Sequence, residues 1–382
     1  MIYLDNNATT RVAPEVLEEM MPFLTDEFGN ASSFHTFGST VLEHVETARE
    51  RVAALLGASP REIIFNSGGT EGDNTAVMSG TSVDSSRPGL VTTAVEHPAV
   101  LETARHIEKQ GRPLEVIGVD HDGALDLERL GNVVDRGTGL VSVMTANNET
   151  GVLMPVAEAA EIAHRAGALF HTDAVQAVGK IPMDLSSLDV DMLSLSGHKL
   201  HGPKGVGALF VRKGMPLHPL ILGGHHEHGS RAGTYNVPGI VGLGKAAELS
   251  TRLMFEESDR VAKLLAKLES GILSTCPGAE IAGAASPRLP NTSTVLFTLV
   301  ESEAVLTLLD LAGIYVSSGS ACSTGSKDPS YVLSAMGIDA MQANTAIRFS
   351  LSRYTTSENI DKVLEVLPPL VAKLRRISPY SR

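Results

Sequence analysis

The 382-residue chain has only two cysteines, Cys276 and Cys322, and no apolar run long enough to cross a bilayer. So few cysteines exclude the disulfide framework of a small secreted protein, and we expect a reducing, cytoplasmic location. A membrane-spanning helix needs about 18 or more apolar residues, so no span is predicted. The first residues, MIYLDNNATTR, also lack the basic start and apolar core of a signal peptide.

Positive charge is scarce as well. Lys and Arg total 31 against 44 Asp and Glu, which gives a formal net charge of −13. Such an acidic balance argues against a nucleic acid or an anionic membrane as the main partner, and no direct nucleic-acid binding is expected. Glycine and proline occur at ordinary frequencies, and there is no internal repeat. A globular chain of this length has room for one large domain and a smaller one.

The stretch from about residue 60 to 212 has the alternating pattern of an α/β fold. Short β-rich runs are separated by longer segments such as Pro155–Ala166, whose apolar residues recur at helical spacing. The pattern predicts a large, mostly parallel seven-stranded sheet wrapped by helices. Binding sites in such sheets lie at the carboxyl ends of strands. The predicted strands are Glu62–Asn66, Leu90–Ala94, Leu114–Val119, Leu140–Met144, Ala168–Thr172, Met192–Leu195 and Val206–Val211.

The flanking sequence predicts long helices and a second, smaller α+β unit. Ser39–Leu56 reads as an amphipathic helix, Gly239–Ser274 as a long helix, and a last helix is predicted to start at Thr355, where Thr355 and Glu358 fit a capping box. We predict a large domain over residues 14–250 and a small domain over residues 1–13 and 251–382. The strands predicted for the small domain are Ser293–Thr298, Ile314–Ser317 and Ala346–Leu351.

Three strand ends carry groups that suit an anionic or aromatic ligand. In the segment SGGTE, Gly69 and Thr70 fit an anion held at a helix N-terminus, although a plain turn that needs glycine fits equally well. The segment lacks the G-x-x-x-x-G-K-[ST] pattern of a nucleoside triphosphate site. His97 and Asn148 follow two further strands. His97 could stack on or protonate a ligand, in a catalytic role, and Asn148 could hydrogen-bond one, but a satisfied histidine and a capping asparagine fit the sequence as well.

Asp173 and Lys199 give sharper signals. Asp173 ends an apolar strand, where burial is costly without a cationic partner such as a protonated pyridine nitrogen, and Gln176 lies three residues on. Lys199 ends the next strand between Ser196, His198 and a glycine-rich turn, where desolvation would favour the neutral amine that Schiff-base chemistry needs. The segments SGGTE, DAVQ and SGHK on successive strands together predict that Lys199 holds pyridoxal phosphate.

These segments resemble the cysteine desulfurase family of class-V aminotransferase-like, pyridoxal-phosphate-dependent enzymes, in the branch with a long cysteine loop. The resemblance covers nearly the whole chain and implies a fold-type I transferase. Beyond the segments above, it is carried by YLDNNATT (3–10), GNASS (29–33) with His35, SGSAC (318–322) and IRFSL (347–351).

The resemblance implies a role for each matching residue. Lys199 would be the Schiff-base lysine, Asp173 would pair with the pyridinium, Gln176 would touch the phenolic oxygen and His97 would stack on the ring. Arg348, Asn148 and Asn6 would contact the substrate, with Arg348 clamping its carboxylate and Asn148 lying beside the cofactor as well. The phosphate would be held by Gly69, Thr70, Ser196, His198 and, from the neighbouring subunit of a homodimer, Thr234.

Cys322 would be the sulfur acceptor. Eight of the ten residues 317–326 are Ser, Thr or Gly, so a polar, accessible loop is predicted around this thiol, whereas Cys276 has no such setting. No resident metal is expected, although Cys322 could meet an iron–sulfur cluster during transfer. The chain departs from the family in the segment His225-His226-Glu227-His228, which is too local to surround an ion and favours an interface or active-site rim loop.

The predicted reaction converts L-cysteine to L-alanine and leaves the sulfur on Cys322 as a persulfide, for delivery to an acceptor or scaffold protein in iron–sulfur assembly or in thiolation of tRNA or a cofactor. Two alternatives stay open. A selenocysteine lyase or another enzyme of the same fold would share most of these residues. A non-catalytic scaffold would be expected to have lost Lys199, Asp173 or Cys322, and all three are present.

Overall fold

The structure is a computed structural model, and it describes residues 1–318 and 329–378. The helices are α1 (Pro14–Met20), α2 (Thr36–Leu56), α3 (Gly69–Gly80), α4 (Pro98–Lys109), α5 (Leu127–Val133), α6 (Val156–Ala166), α7 (Val237–Thr275), α8 (Ser302–Leu311), α9 (Tyr331–Ala335), α10 (Ala340–Ala343) and α11 (Ser357–Ile377). The strands are β1 (Ile2–Tyr3), β2 (Ile63–Asn66), β3 (Gly89–Thr93), β4 (Leu114–Ile117), β5 (Thr138–Ser142), β6 (Leu169–Asp173), β7 (Met192–Ser196), β8 (Gly207–Val211), β9 (Ala279–Ile281), β10 (Thr292–Phe297), β11 (Ile314–Tyr315), β12 (Ser317–Ser318) and β13 (Ala346–Ser350).

A seven-stranded sheet forms the centre of the larger layer, in the order β2-β8-β7-β6-β5-β3-β4. Strands β7, β6, β5, β3 and β4 run parallel, and β8 is antiparallel to both of its neighbours. All seven strands fall within two residues of the predicted bounds. Every residue of β3, β5, β7 and β8 is buried, because helices cover both faces of the sheet. The predicted α/β fold is confirmed.

The two long helices pack against each other beside this sheet. Helix α2 begins three residues before the predicted start because the imidazole of His35 accepts a hydrogen bond from the Gly38 amide and caps the first turn. It ends at Gly57, whose φ of 62° is the left-handed conformation that stops a helix. Helix α7 begins two residues before the prediction, after Asn236 caps its first turn.

A four-stranded antiparallel sheet, in the order β12-β13-β10-β9, forms the second layer. A separate apolar core packs against it, made of Leu4 and of residues between 261 and 371. Val332 and Leu333, in α9, pack instead with the core of the large sheet, and α7 contributes to both cores. The division at residue 250 therefore falls inside one continuous helix and stays a prediction.

Two local predictions in this second layer were wrong. The single strand predicted over Ile314–Ser317 is two strands, since β11 pairs with β1 while β12 pairs with β13. The last helix is capped by Thr356 rather than Thr355, and its capping-box partner is Asn359 rather than Glu358. The hydroxyl of Thr355 is buried and already accepts a hydrogen bond from the Ser352 amide, so it cannot cap the helix.

Within the ranges that the structure describes, no helix combines the length and the apolar character required to cross a membrane.

Candidate active site

The carboxyl ends of the central strands open into a cavity of about 350 Å³. It lies where the parallel strands of an α/β sheet place their ligands. The second sheet closes one side through Arg348 of β13, and the N-terminal segment closes another through Asn7 and Ala8. The predicted site residues that line it are Gly69, Thr70, His97, Asn148, Asp173, Gln176, Ser196, His198, Lys199 and Arg348.

Lys199 stands in a short 3-10 turn directly after β7. Its ammonium donates hydrogen bonds to the carbonyl oxygens of Asn7 and Ala8, the latter at 2.8 Å. The same N-terminal segment is fixed to the turn by the Thr10 amide, which donates to the His198 carbonyl at 3.0 Å. Asn7 and Ala8 were missed as site residues from the sequence, because their contribution is backbone carbonyls brought in from nearly 200 residues away.

Asp173 ends β6 at the floor of the cavity, and its Oδ1 accepts the Val175 amide at 2.9 Å. Burial raises the pKa of this carboxyl, while His97 and Lys199 act in the opposite direction. Asp73 of α3 lies beside it, and atoms of Asp73, His97 and Asp173 lie within 4.8 Å of one another. Oδ1 of Asp73 has no hydrogen-bond partner among the residues that the structure describes.

This arrangement fits a cationic ring nitrogen. Burial, and then the charge of Asp173, raise the pKa of Asp73 well above its usual range. A cation beside the two carboxyl groups would offset both the burial and their repulsion. The imidazole of His97 caps α4 by accepting the Ala99 amide at 3.1 Å, and burial lowers the pKa of this residue, so its ring is neutral and can lie against an apolar face.

Further buried acids surround the site that the sequence did not single out. Glu96 precedes His97, and burial raises its pKa to about 8 although Thr93 and the Met144 amide both donate to it. Glu149 follows Asn148, and burial raises its pKa to about 7. Both residues were visible in the strand-end segments, but their complete burial is a property of the packed helices and of the second sheet.

The opposite end of the cavity suits an anion. An adjoining open cavity of about 370 Å³ is lined by Gly69, Thr70, Ser196, His198 and Lys204, at the N-terminus of α3. A Cβ atom on Gly69 would lie 2.6 Å from Cγ2 of Val175, so glycine lets the N-terminus of α3 pack this close to Val175. Burial and the charge of Lys199 lower the pKa of His198 to about 4, so positive charge here comes from the lysines.

Arg348 enters the cavity from the second sheet. Its Nη2 bonds Oδ1 of Asp5 at 2.8 Å, and its Nη1 donates to the Asn148 carbonyl at 3.0 Å. Its Nε is buried and has no hydrogen-bond partner among the described residues, and the same holds for Oδ1 of Asn148. A fixed guanidinium beside a free amide oxygen fits a ligand that carries both a carboxylate and an amine.

Two predicted residues lie outside the lining of this cavity, and a third is not among the residues that the structure describes. The side chain of Asn6 donates to the Ser350 carbonyl at 2.8 Å and lines a separate, smaller cavity. Thr234 is exposed on the loop before α7, outside the lining of the main cavity. Cys322 lies outside the described residues. The roles of these three residues, and of the ten that line the cavity, stay predictions.

The His225-His226-Glu227-His228 segment is anchored by its acid. Glu227 is buried and accepts two hydrogen bonds of 2.8 Å from the Arg49 guanidinium and a third from the Phe65 amide. These bonds occupy the carboxylate, so it is not available as a metal ligand. The prediction of an interface or rim loop stays a prediction.

Comparison with known proteins agrees with this geometry. The sequence profile of the family described as "Aminotransferase class-V" matches residues 2–363. The cysteine desulfurase of Gluconacetobacter diazotrophicus is 53% identical over 381 residues, covering 99% of this chain and 95% of that protein. A solved structure described as a NifS-like protein superposes with a TM-score of 0.90 at 42% identity, covering 98% and 100% of the two chains. SspA in complex with cysteine superposes with a TM-score of 0.83 at 33% identity, covering 93% and 100%.

The chain therefore belongs to the class-V aminotransferase family and, within it, to the cysteine desulfurases, as the resemblance implied.

Proposed function

We propose that this protein binds pyridoxal phosphate and converts L-cysteine to L-alanine, with the sulfur passed to Cys322 as a persulfide. The observation that carries the proposal is the meeting of Lys199, Asp173 and Arg348 in one cavity of about 350 Å³. These residues come from β6, the turn after β7, and β13, and each offers a different function: an amine, a buried carboxyl group and a guanidinium.

The residues of the cavity fit the cofactor from end to end. Lys199 would hold it covalently, Asp173 would pair with its ring nitrogen, Gln176 would reach its phenolic oxygen, and His97 would lie against the ring. The phosphate would be held by Gly69, Thr70, Ser196 and His198, at the N-terminus of α3. When bound, the cofactor supplies an electron sink that acidifies the Cα proton of an attached amino acid.

The chain's own residues orient the substrate and move its protons. Arg348 binds the substrate carboxylate through the N–H groups that Asp5 and the Asn148 carbonyl leave available. Asn148 accepts a hydrogen bond through its free Oδ1 and so orients a polar group of the substrate. The amine of Lys199, displaced by the substrate amine, takes up and returns the proton at Cα.

In the sulfur transfer, atoms and electrons balance between the substrate and the Cys322 thiol, and no added oxidant or reductant is needed. The substrate C–S bond breaks and an S–S bond forms to Cys322, so that sulfur is oxidised to the persulfide level. The substrate carbon is reduced, and a proton completes the methyl group of alanine. One cysteine and one thiol therefore give one alanine and one persulfide.

The described residues on both sides of the cysteine segment contact the site. On one side β12 pairs with β13, and Ser317 lies opposite Arg348. On the other side the Ser330 hydroxyl donates to Glu149 at 2.5 Å, and the Tyr331 hydroxyl donates to the Glu96 carbonyl at 2.6 Å. The described residues that flank Cys322 in sequence thus contact Arg348 of the cavity wall, or acids adjacent in sequence to Asn148 and His97, which supports Cys322 as the acceptor.

The test is incubation of the reconstituted protein with L-cysteine, measuring alanine and mapping the persulfide by mass. We expect Cys322→Ser to keep the colour of the cofactor and to lose persulfide formation, because the serine hydroxyl cannot accept sulfur. Cys276→Ala is the matched control, since Cys276 is buried in the core of the second layer and should leave turnover intact. Sulfide release from Cys322→Ser at the parent rate would contradict the assignment.

The proposal extends to assembly and location. We propose a cytoplasmic homodimer in which the exposed Thr234 reaches the phosphate of the neighbouring site, with the large domain over residues 14–250 and the small domain over the remainder. The exposure of Thr234 and the acidic, cysteine-poor composition support it. The sulfur then passes to an acceptor or scaffold protein. A monomeric mass in solution at micromolar concentration would contradict the dimer.

A further inference from the structure

Lys180 lies at the end of a turn that begins at Asp173 and leads back toward the cavity. Its Nζ donates to the carbonyl oxygen and to Oε1 of Gln176, both at 2.9 Å. Ser258 of α7 fixes its backbone by donating to the Lys180 carbonyl at 2.6 Å. Gly179 before it has a φ of 76°, and a Cβ there would lie 2.6 Å from Cδ2 of Leu200, so the turn requires glycine.

Lys180 determines which way the Gln176 amide faces. An ammonium can only donate, so it selects the oxygen of the amide and turns the NH2 group away. That NH2 group donates to the Asn7 carbonyl at 3.0 Å, and Gln176 lines the main cavity. The Asn7 carbonyl also accepts from Lys199, so a hydrogen-bonded chain runs from Lys180 through Gln176 and Asn7 to Lys199.

The two lysines also share a second cavity. A smaller space of about 50 Å³ is lined by both Lys180 and Lys199, between the turn that follows β6, the turn after β7 and α7. The titratable and charged groups that face Lys180 there or act on it are Lys199, His198, His201, Arg348, Arg353 and Glu257. Glu257 is the one carboxylate among these groups. The positive charges of Lys180 and Lys199 therefore repel each other.

Burial, and then the charges of Lys199 and Arg348, lower the pKa of Lys180 to about 7. A group in this range changes its charge near neutral pH, and its titration is linked to that of its neighbours.

We propose that Lys180 is a positioning residue of the active site, which fixes the Gln176 amide with its donor toward the cofactor and places a second positive charge behind Lys199. The inference rests on the proposed function, since it concerns how the chain prepares Lys199 and Gln176 for the cofactor. The charge disfavours a protonated nitrogen at Lys199, and the amide orientation provides a donor to the phenolic oxygen.

The experiment is a pH titration of the visible absorbance of the cofactor-loaded protein, without substrate. Lys180→Met removes both the charge and the hydrogen bond, Lys180→Gln removes only the charge, and Lys180→Arg keeps a permanent charge. Lys263→Met is the matched control, because Lys263 is an exposed lysine of α7 that pairs with the exposed Asp259.

We expect the pH midpoint of the change in visible absorbance to rise by about one unit in Lys180→Met and Lys180→Gln, because both variants lose a positive charge near the nitrogen of Lys199. The midpoint should stay at or below the parent value in Lys180→Arg and should not change in Lys263→Met. The wavelength of the absorbance maximum should shift only in Lys180→Met, where the amide orientation is lost.

An unchanged midpoint in both Lys180→Met and Lys180→Gln would overturn the inference, and if the Met variant does not fold, the Gln variant decides the charge effect alone. A parent protein that stays colourless after reconstitution would instead contradict the proposed function. The two failures are therefore distinguishable.

Discussion

The carboxyl edge of the seven-stranded sheet and the group of residues opposite it contribute to one cavity in different ways. The sheet edge supplies His97, Asp173 and Lys199, each within one turn of a strand end. The opposite side supplies Arg348 from β13 and Asn7 from the N-terminal segment. Asp5 of that segment accepts a hydrogen bond from Arg348, although the two residues lie more than 340 positions apart in sequence. The sheet-edge residues follow strand ends directly in the sequence. The residues opposite them are brought to the cavity by packing between distant parts of the chain.

The two sides of the cavity are predicted to have different functions. The sheet edge holds the groups predicted to bind the cofactor, on strands buried on both faces. The opposite side holds Arg348, which is predicted to bind the substrate carboxylate, and it belongs to a different core. Asn148, which follows β5, is the predicted substrate contact on the sheet side. Changes at the sheet edge should therefore affect cofactor binding and all later steps. Changes on the opposite side should affect the substrate and leave the cofactor in place.

The largest expected effect is from Lys199→Ala. Loss of the amine removes both the covalent attachment and the group that moves the Cα proton, so alanine production should fall by at least about 10³-fold. Borohydride treatment of the loaded parent should label position 199, and the variant should carry no label. Labelling of another lysine in the parent would show that Lys199 does not carry the cofactor, and the role assigned to the sheet edge would be wrong.

Next in size is Arg348→Lys. The substitution keeps the charge but loses the planar pair of donors, and charged hydrogen bonds contribute about 1.5–3 kcal/mol, so KM for L-cysteine should rise by roughly 10- to 100-fold. The visible absorbance of the cofactor should not change. A variant with parent KM, or one that loses cofactor, would contradict the division between the two sides.

Asp5→Asn should give a smaller effect of the same kind. Asp5 does not line the cavity but holds Nη2 of Arg348 at 2.8 Å. Loss of the charge loosens the guanidinium without removing it, so KM should rise by roughly 3- to 10-fold while kcat changes little. Asp26→Asn is the control, since Asp26 is an exposed acid far from this pair. A fall in kcat with unchanged KM would show that Asp5 acts in another way.

The last expected effect concerns the stability of the sheet edge and leaves substrate binding aside. Burial holds Glu96 neutral up to a pKa of about 8, whereas the unfolded chain ionises near 4.3. The folded state therefore binds a proton that the unfolded state releases, and the free energy of unfolding falls as pH rises from about 5 to 8. Glu96→Gln cannot ionise, so the fall in the free energy of unfolding should shrink by up to about 1.4 kcal/mol for each pH unit between 5 and 8.

Denaturant unfolding at pH 5 and pH 8 measures this difference. Glu102→Gln is the control, since Glu102 is exposed on α4 and should leave the pH dependence as it is in the parent. The same pH dependence in the parent and in Glu96→Gln would show that Glu96 does not hold a buried proton.

Residues at the sheet edge were easier to predict from the sequence than residues on the opposite side of the cavity. The seven strands and the positions of Asp173 and Lys199 were predictable because strand ends are marked locally by apolar runs followed by glycine or polar residues. The cap of α11 was assigned one residue too early because Thr355 and Thr356 are both capable of capping. Only packing against Ser352 makes Thr355 unavailable. The division of the predicted strand into β11 and β12 was missed for a similar reason, since the two strands pair with different sheets.

Residues whose role depends on partners far along the chain left no local signal. Asp73, Glu96 and Lys180 are ordinary charged residues in the sequence, and their environment exists only once the helices cover the sheet. The carbonyls of Asn7 and Ala8 carry no side-chain signature at all. The sequence by itself determined the order of strands and helices, and with it the residues delivered to the sheet edge, because these follow from local apolar periodicity. The tertiary structure decided which charges are buried and which partners they meet, because desolvation and hydrogen bonding depend on segments that only folding brings together.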